Sequence, residues 1–292
     1  MTLKNLIFLR LVAALFVATA SLAQAAVPVT VPVGNPGNAA DTTGFGAVAY
    51  AYQIGKFEVT LGEYCEFLNA AAKTDEHELY DPRMEKSPEN GWSGIKRSGD
   101  SGSYTYAIIA SRDKQPVGYV TWESCIRYVN WLSNGQGKGD TEKGTYEFGA
   151  DGVKVSDHAA LAKGTAAKWV MTSENEWYKA AYYDASKQGG AGYWQFPAKS
   201  DTAPAANINS NWPTEAGKFK DSASPYGTFD QGGNVWEYND SQADGKVGLR
   251  GGSWYINDKD DYERSFTRYN VLSAKWPHRG FRVAQLGGDA SK

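Results

Sequence analysis

Residues 226–254, near the C-terminal end of the chain, constrain the fold more strongly than any other stretch of the sequence. Three closely spaced glycines permit backbone turns that other residues adopt only at a cost, and they are Gly227, Gly232 and Gly233. The same stretch offers a large aromatic area for burial, from Trp236, Tyr238 and Trp254. Sharp turns beside aromatic anchors predict a fixed loop rather than a flexible one.

Side-chain oxygens accompany the carbonyl groups that these glycine turns would expose, and they belong to Asp230, Gln231, Asn234 and Glu237. Clusters that contain only oxygen ligands suit a hard cation such as Ca²⁺. Asp, Asn and Gly are also ordinary turn residues. A tight turn without a metal ion is therefore the alternative interpretation.

The composition favours one loop-rich globular domain of the α+β class. The chain has 292 residues, with 10 Trp, 18 Tyr and 32 Gly, which is not typical of a helical bundle. The sequence contains no internal repeat and no proline-rich linker. A net charge of −3 gives no electrostatic indication of a nucleic-acid partner, so none is expected.

The N-terminal residues predict export. Lys4 and Arg10 precede an apolar run at residues 11–22, and Ala23-Gln24-Ala25 is a small-x-small cleavage site. A membrane anchor, the alternative, needs about 20 unbroken apolar residues. We therefore expect a signal peptide at residues 1–25, a secreted or periplasmic protein, and no later membrane-spanning segment.

Apolar residues at helical spacing predict two amphipathic helices. The first covers residues 60–72, with Thr60 as its N-cap, and the second covers residues 121–134. A third helix follows a capping box of Ser173 and Glu176, which we interpret as a purely local cap. The chain before the first helix is expected to be an extended arm at residues 26–51. Strands are predicted at residues 52–59, 104–109 and 169–171, and a hairpin at residues 144–155.

Two cysteines remain after export, Cys65 and Cys125, each on the apolar stripe of a predicted helix. An oxidising compartment permits a disulfide between them, but buried cysteines can equally serve as small hydrophobic residues. The sequence does not give the Cα separation that a disulfide requires, so both interpretations stay open.

Several motifs resemble those of the formylglycine-generating enzyme, or sulfatase-modifying factor, family. They are GGNVWEY at residues 232–238, LRGGSW at 249–254 and RGFRVA at 279–284, preceded by blocks at 54–69, 116–136 and 171–183. The resemblance covers nearly the whole mature chain and implies a C-type-lectin-like α+β fold with few regular elements and long loops. We place the domain at residues 52–286 and a tail at residues 287–292.

The resemblance also implies which chemistry is missing. The family's oxidases hold copper with two cysteines that follow the GGS motif, because thiolates select Cu(I) over hard cations. Ile256 and Asp261 stand at those positions here. We therefore expect no copper and no copper-dependent oxidase activity.

A related branch of the family uses iron, and such sites typically need two histidines and a carboxylate. His77, His158 and His278 lie far apart in the sequence and are interpreted as isolated surface residues. The enzymatic alternative is an oxidoreductase acting on cysteine or sulfur substrates with a different metal site. That site would lie near Ser253, Trp236 and Arg264.

By resemblance, the glycine-rich stretch would hold a structural calcium ion. A second ion would help to pin the irregular connection at residues 184–225. The implied ligands of the two ions are Asp230, Gln231, Gly233, Val235 and Glu237 for the first, and Asn207 and Ile208 for the second.

Residues 254–278 have the composition of a binding surface, since Tyr, Trp, Arg and Asn are favoured there. Some relatives are hypervariable receptor-like proteins that vary in this segment, so the resemblance implies a protein, peptide or glycan ligand. Alternatively, half of these aromatic residues belong to the core. The predicted ligand-binding residues are Trp254, Tyr255, Asn257, Arg264, Arg268, Tyr269, Trp276 and His278.

Overall fold

The computed structural model describes residues 27–86, 94–109, 111–137, 139–208, 210–255 and 260–288. The predicted signal peptide lies outside these residues.

The four helices described are α1 (Leu61–Ala71), α2 (Trp122–Ser133), α3 (His158–Ala162) and α4 (Glu174–Tyr182). Two 3₁₀ helices cover Pro82–Met84 and Asp260–Glu263. The strands are β1 (Thr30–Val33), β2 (Tyr52–Gly55), β3 (Ile95–Ser98), β4 (Thr105–Ile108), β5 (Glu147–Gly149), β6 (Gly152–Lys154), β7 (Lys168–Met171), β8 (Tyr183–Asp184), β9 (Gly192–Tyr193), β10 (Trp236–Ala243), β11 (Lys246–Arg250), β12 (Tyr269–Val271), β13 (Arg279–Phe281) and β14 (Val283–Leu286).

One four-stranded sheet joins the two ends of the domain, in the order β1-β2-β14-β7. Its strand β1 comes from the predicted N-terminal arm and pairs antiparallel with β2, with Thr30 opposite Gly55. The arm is therefore bound to the domain by a strand ladder. Strand β14 lies between β2 and β7, so the C-terminal motif completes the sheet.

The second four-stranded sheet, in the order β12-β11-β10-β13, carries the glycine-rich stretch and the C-terminal segment. Strand β10 is parallel to β13 and antiparallel to β11. Strand β12 is an edge strand that pairs with β11. This sheet therefore positions both predicted sites.

The helix predictions are confirmed by the capping contacts. Thr60 caps α1 and Glu63 completes a capping box, Thr121 caps α2, and Ser173 and Glu176 form the expected box on α4. Each box satisfies backbone N–H groups that the first helical turn leaves free.

Both cysteines are free and buried. The Cys125 thiol donates to the carbonyl of Thr121 over 3.1 Å, within its own helix. Of the two interpretations, the structure supports small hydrophobic residues and not a disulfide. The two cysteines lie in one hydrophobic core with the rings of Phe67, Tyr128 and Phe281.

The hairpin and the strands predicted at 104–109 and 169–171 are found with small shifts at their ends, whereas the strand predicted at 52–59 already ends at Gly55. Several elements were not predicted, namely α3, β3, the two 3₁₀ helices and the strands from β8 to β14. The α3 sequence spans a single turn and a half, too short for a periodic pattern to emerge. Within the described residues, no helix is both long and apolar enough to cross a bilayer.

Candidate functional site

The glycine-rich loop turns through an unusual backbone conformation just before β10. Asp230, Gly233 and Asn234 have φ angles of 60°, 82° and 58°, in the left-handed region. A Cβ atom at Gly233 would lie 2.8 Å from the carbonyl oxygen of Asn207. Glycine is therefore required there both by conformation and by the close approach of a second chain segment.

Arg282 is the central cation beneath this loop. Its guanidinium donates to both carboxylate oxygens of Glu237, over 2.7 and 2.9 Å, and the two side chains are fully buried. It also donates to the carbonyl oxygens of Gly55 and Phe229. The indole N–H of Trp177 donates to the same Glu237 carboxylate over 2.8 Å. This ion pair therefore joins both sheets, α4 and the loop.

Two further buried carboxyl groups face Arg282. One oxygen of Glu58 accepts from the Asn234 side-chain amide over 3.0 Å, and Glu58 Oε2 has no hydrogen-bond partner among the described residues. Asp230 Oδ2 accepts from the Gly217 N–H over 2.5 Å. Burial, reinforced by Asp230, raises the pKa of Glu58 well above its usual range. Burial likewise raises the pKa of Asp230 to about 6.

Three buried carboxyl groups, from the loop, from β10 and from the segment after β2, therefore lie around one arginine. Glu58 was not identified from the sequence. Glu58 falls in the strand predicted at residues 52–59, and the residue pattern there does not indicate a site. Its amide partner Asn234 lies 176 residues away.

The predicted calcium ligands are unequally suited to this role. Glu237 is engaged by Arg282 and Trp177. The Gln231 side chain donates to the Trp177 carbonyl and accepts from Thr228, so the backbone oxygen of Gln231 is the better donor to a metal. The side chain of Asp230 with the carbonyl oxygens of Gly233 and Val235 fits the oxygen ligands that Ca²⁺ prefers.

The second predicted ion would lie near Asn207 and Ile208. The Asn207 backbone carbonyl accepts from the Asn234 N–H, and its side-chain oxygen accepts from Ser210 over 2.7 Å. Both oxygens of Asn207 thus have partners already. No group of three or more His, Cys, Asp or Glu residues in the described ranges is arranged to hold a metal ion.

In the C-terminal segment, one aromatic cluster consists of Trp254, Tyr255, Trp276 and His278. The His278 ring stacks on Tyr255 with a centroid separation of 4.7 Å, and Trp276 lies 5.9 Å from His278. Burial and the nearby Arg279 lower the pKa of His278 to about 4, so the imidazole is neutral at pH 7. Trp254 forms the floor of the cluster, since only 1% of it is exposed.

Exposed apolar side chains are concentrated in the same segment. Seven large apolar residues in the described part of the chain are exposed, and four of them lie here. These four, which we call the apolar C-terminal set, are Phe266 (63% exposed), Tyr269 (42%), Leu272 (67%) and Trp276 (42%). Tyr269 packs edge-on against Trp236 and Tyr262 beneath it, which fixes the ring.

The two predicted arginines are already paired. Arg268 forms a two-point ion pair with Glu174, over 2.7 and 2.9 Å. Arg264 pairs with Asp261 over 2.6 Å and its guanidinium lies over the Phe196 ring. They brace the segment against the rest of the domain. Asn257 and Ile256 lie outside the described residues.

The interpretation of His158 as an isolated surface residue is wrong. Its ring is buried between two carboxylates, with Nδ1 3.0 Å from Glu176 and Nε2 2.9 Å from Asp240. The Tyr50 hydroxyl donates to Glu176 over 2.8 Å. The two carboxylates raise the pKa of His158 to about 11 despite its burial. Glu176 is therefore both a helix cap and part of a buried charge cluster, more than the local cap that was predicted.

The protein-family model for the sulfatase-modifying factor enzyme 1-like domain matches residues 24–286. Among solved structures, Treponema denticola variable protein 1 is 18% identical, with 87% of this chain and 94% of that chain covered and a TM-score of 0.53. CarF is 15% identical, with coverages of 89% and 98% and a TM-score of 0.51. PvdO from Pseudomonas aeruginosa is 19% identical, with coverages of 89% and 92% and a TM-score of 0.48. No match to a curated protein was found.

These comparisons bear on the fold. The mixed architecture has few helices, many short strands and long loops, as the sequence predicted, and the structural neighbours share it.

Proposed function

The chain belongs to the sulfatase-modifying factor enzyme 1-like family, and we propose that this member is an exported, calcium-stabilised binding protein without copper-dependent oxidase activity. Its ligand would be a protein, peptide or glycan that contacts residues 254–278. One observation carries the proposal, which is the concentration of exposed apolar side chains in that segment.

Exposed apolar side chains grouped in one segment are typical of an interaction site. Here the group includes a tyrosine and a tryptophan, residue types that often dominate binding energy. Tyr269 is supported from below by two other rings, so little rotational freedom is lost when a ligand contacts it. The likeness in fold to a protein named variable protein 1 is compatible with a scaffold whose surface residues change.

The binding proposal predicts different results for exposed residues inside and outside residues 254–278. Glycan and peptide arrays identify the ligand. Leu272→Ala and Trp276→Ala should each reduce the free energy of binding of that ligand by about 1–2 kcal/mol, with nearly unchanged melting temperatures. Val29→Ala removes an equally exposed aliphatic side chain outside the segment and serves as the control. If Val29→Ala weakens binding as much as Leu272→Ala does, the segment is not the binding surface.

The chemistry of the cysteines supports the absence of copper oxidation. Burial raises the pKa of the Cys65 thiol to about 11 and that of Cys125 well above its usual range, so neither is a thiolate at neutral pH. Asp261 supplies a hard carboxylate where the family's oxidases have a cysteine. For the alternative oxidoreductase, two of the three named residues, Ser253 and Trp236, are buried.

We expect the mature protein to show no conversion of a cysteine peptide to formylglycine when it is supplied with copper and oxygen. The measurement is mass spectrometry of the peptide, and the matched variant is Ile256→Cys combined with Asp261→Cys. Conversion by the unmodified protein would refute the inference from the missing thiolates.

A bound calcium ion would increase the free energy of unfolding of the protein. A ligand that binds only the native state at a hundred times its dissociation constant adds roughly 2.7 kcal/mol to the free energy of unfolding. Chelation should therefore lower the melting temperature by several degrees. Ca²⁺ should restore it and Mg²⁺ should restore it poorly, because Mg²⁺ demands tight octahedral geometry.

The matched variants for this experiment are Asp230→Ala and Asp151→Ala, the latter in the exposed turn between β5 and β6. The shift caused by chelation should vanish in the first and persist in the second. Since the shift is measured within each variant, any backbone strain at position 230 cancels. Identical melting curves with and without chelator in the unmodified protein would refute the proposal that the protein binds a stabilising calcium ion.

Export would follow from a signal peptide at residues 1–25. N-terminal sequencing of protein recovered from the medium or periplasm should begin at Ala26, and an intact Met1 would contradict this assignment.

A further inference from the structure

A pocket of about 950 Å³ lies on the irregular connection between β9 and β10, outside residues 254–278. Its walls are residues 210–220, together with Lys114, Gln115 and Asn207. Pockets that hold small molecules typically enclose about 300–1,000 Å³, so this one has room for a ligand of one or two sugar rings. Of its lining residues, only Asn207 was predicted above as a ligand, for the second ion.

The pocket is positively charged although the whole chain is not. Three exposed lysines line it, Lys114, Lys218 and Lys220, and none of them has an ion-pair partner among the described residues. Glu215 is the one acidic residue in the lining, which leaves a net charge of +2. The complete chain carries a net charge of −3. An excess of unpaired ammonium groups around one concavity favours an anion.

The rest of the lining indicates what else the anion contains. The indole of Trp212 is 44% exposed and offers a flat apolar face at the pocket. Around it stand hydroxyl and amide side chains, and the Thr214 hydroxyl is buried without a hydrogen-bond partner in the described part of the chain. The hydroxyl and amide residues of the lining are Gln115, Asn207, Ser210, Asn211 and Thr214. A sugar ring combines an apolar face of C–H groups with many hydroxyls, and so matches both features.

The pocket wall is held in place before any ligand arrives. The Thr214 N–H donates to the Asn234 side chain over 3.0 Å, and the Ala216 N–H donates to the Lys114 carbonyl over 2.9 Å. The Gln115 amide donates to the Pro213 carbonyl over 3.2 Å. A wall fixed by such contacts loses little conformational entropy on binding.

We propose that this pocket binds an acidic carbohydrate, a mono- or disaccharide that carries a carboxylate or a sulfate. The lysines contact the anionic group, Trp212 packs against the apolar face of the ring, and the side chains of Asn211 and Thr214 bind its hydroxyls. This inference is independent of the ligand proposed for residues 254–278.

Calorimetric titration of the mature protein tests it with three probes. They are a uronic-acid disaccharide, a sulfated disaccharide and a neutral disaccharide of the same ring structure. At least one acidic probe should bind, at least tenfold more tightly than the neutral one, with an affinity that falls as salt is added. Which acidic probe binds better identifies the anionic group. Equal affinity for acidic and neutral probes, or no binding of either acidic probe, would overturn the proposal.

Variants locate the site. The affinity for the acidic probe should fall at least tenfold in the double variant Lys218→Gln with Lys220→Gln. It should fall at least tenfold in Trp212→Ala as well. Lys246→Gln removes an exposed lysine on β11 as the matched control and should leave the affinity unchanged. Trp276→Ala should also leave it unchanged, because that residue belongs to the other surface. Loss of binding in Trp276→Ala with full binding in the pocket variants would refute the assignment. Melting temperatures equal to that of the unmodified protein establish that each variant is folded.

Discussion

Replacing Arg282 with methionine should abolish stable folding or remove at least about 3–5 kcal/mol of stability, the usual cost of breaking a buried ion pair. Arg282 is fully buried and donates to Glu237 through two nitrogens. The substitution would leave Glu58, Asp230 and Glu237 buried without this cation. A typical domain has only about 5–15 kcal/mol of stability, so the expected loss is a large part of the total.

Urea denaturation of purified protein measures this loss, and the amount of soluble protein reports it if the variant does not fold. Adding Glu237→Gln to Arg282→Met removes one of the uncompensated charges and should recover part of the stability. Arg282→Met with a free energy of unfolding within 1 kcal/mol of the unmodified protein would show that the guanidinium does not hold the loop.

The second large effect is expected at His158. His158→Ala should cost about 3 kcal/mol or more, because it leaves Glu176 and Asp240 buried side by side without the imidazolium between them. His77→Ala is the control, since His77 lies at the surface beside Glu142 and surface substitutions usually change stability by less than about 0.5 kcal/mol.

The effect of His158 should depend on pH in a defined direction. Folding raises the pKa of His158 from 6.5 to about 11. The stabilisation is therefore complete below pH 6.5 and is lost as the pH rises towards 11. The difference in free energy of unfolding between the unmodified protein and His158→Ala should shrink between pH 6 and pH 10. A difference that grows with pH, or one no larger than that for His77→Ala, would contradict a charged His158.

Local features of the fold could be predicted from the sequence. Thr60 and Thr121 begin helices because their hydroxyls accept from N–H groups within the same turn. The Ser173 and Glu176 box is equally local. Each of these signals depends on residues three or four positions apart, so the sequence contains the whole interaction.

Long-range polar contacts could not be predicted. Asp240 is 82 positions from His158 and on another element, so no spacing relates them. Arg268 pairs with Glu174, which is 94 residues away, so the sequence does not indicate that this arginine is already in an ion pair. Exposure is equally hidden, since Trp254 is 1% exposed and Trp276 is 42% exposed although both are tryptophans in one segment. Their difference depends on what packs around them, which only the folded chain determines.

The central claim is that residues 254–278 bind a ligand. It is tested most directly by probing one array of peptides and uncharged glycans, which excludes the acidic carbohydrates proposed for the lysine-lined pocket, with the mature protein and with a variant that combines Tyr269→Ala, Leu272→Ala and Trp276→Ala. We expect reproducible binding by the unmodified protein and loss of that binding in the variant, with circular dichroism spectra that match. Binding of both proteins to the same array members with equal intensity would contradict the claim, as would the absence of binding by the unmodified protein.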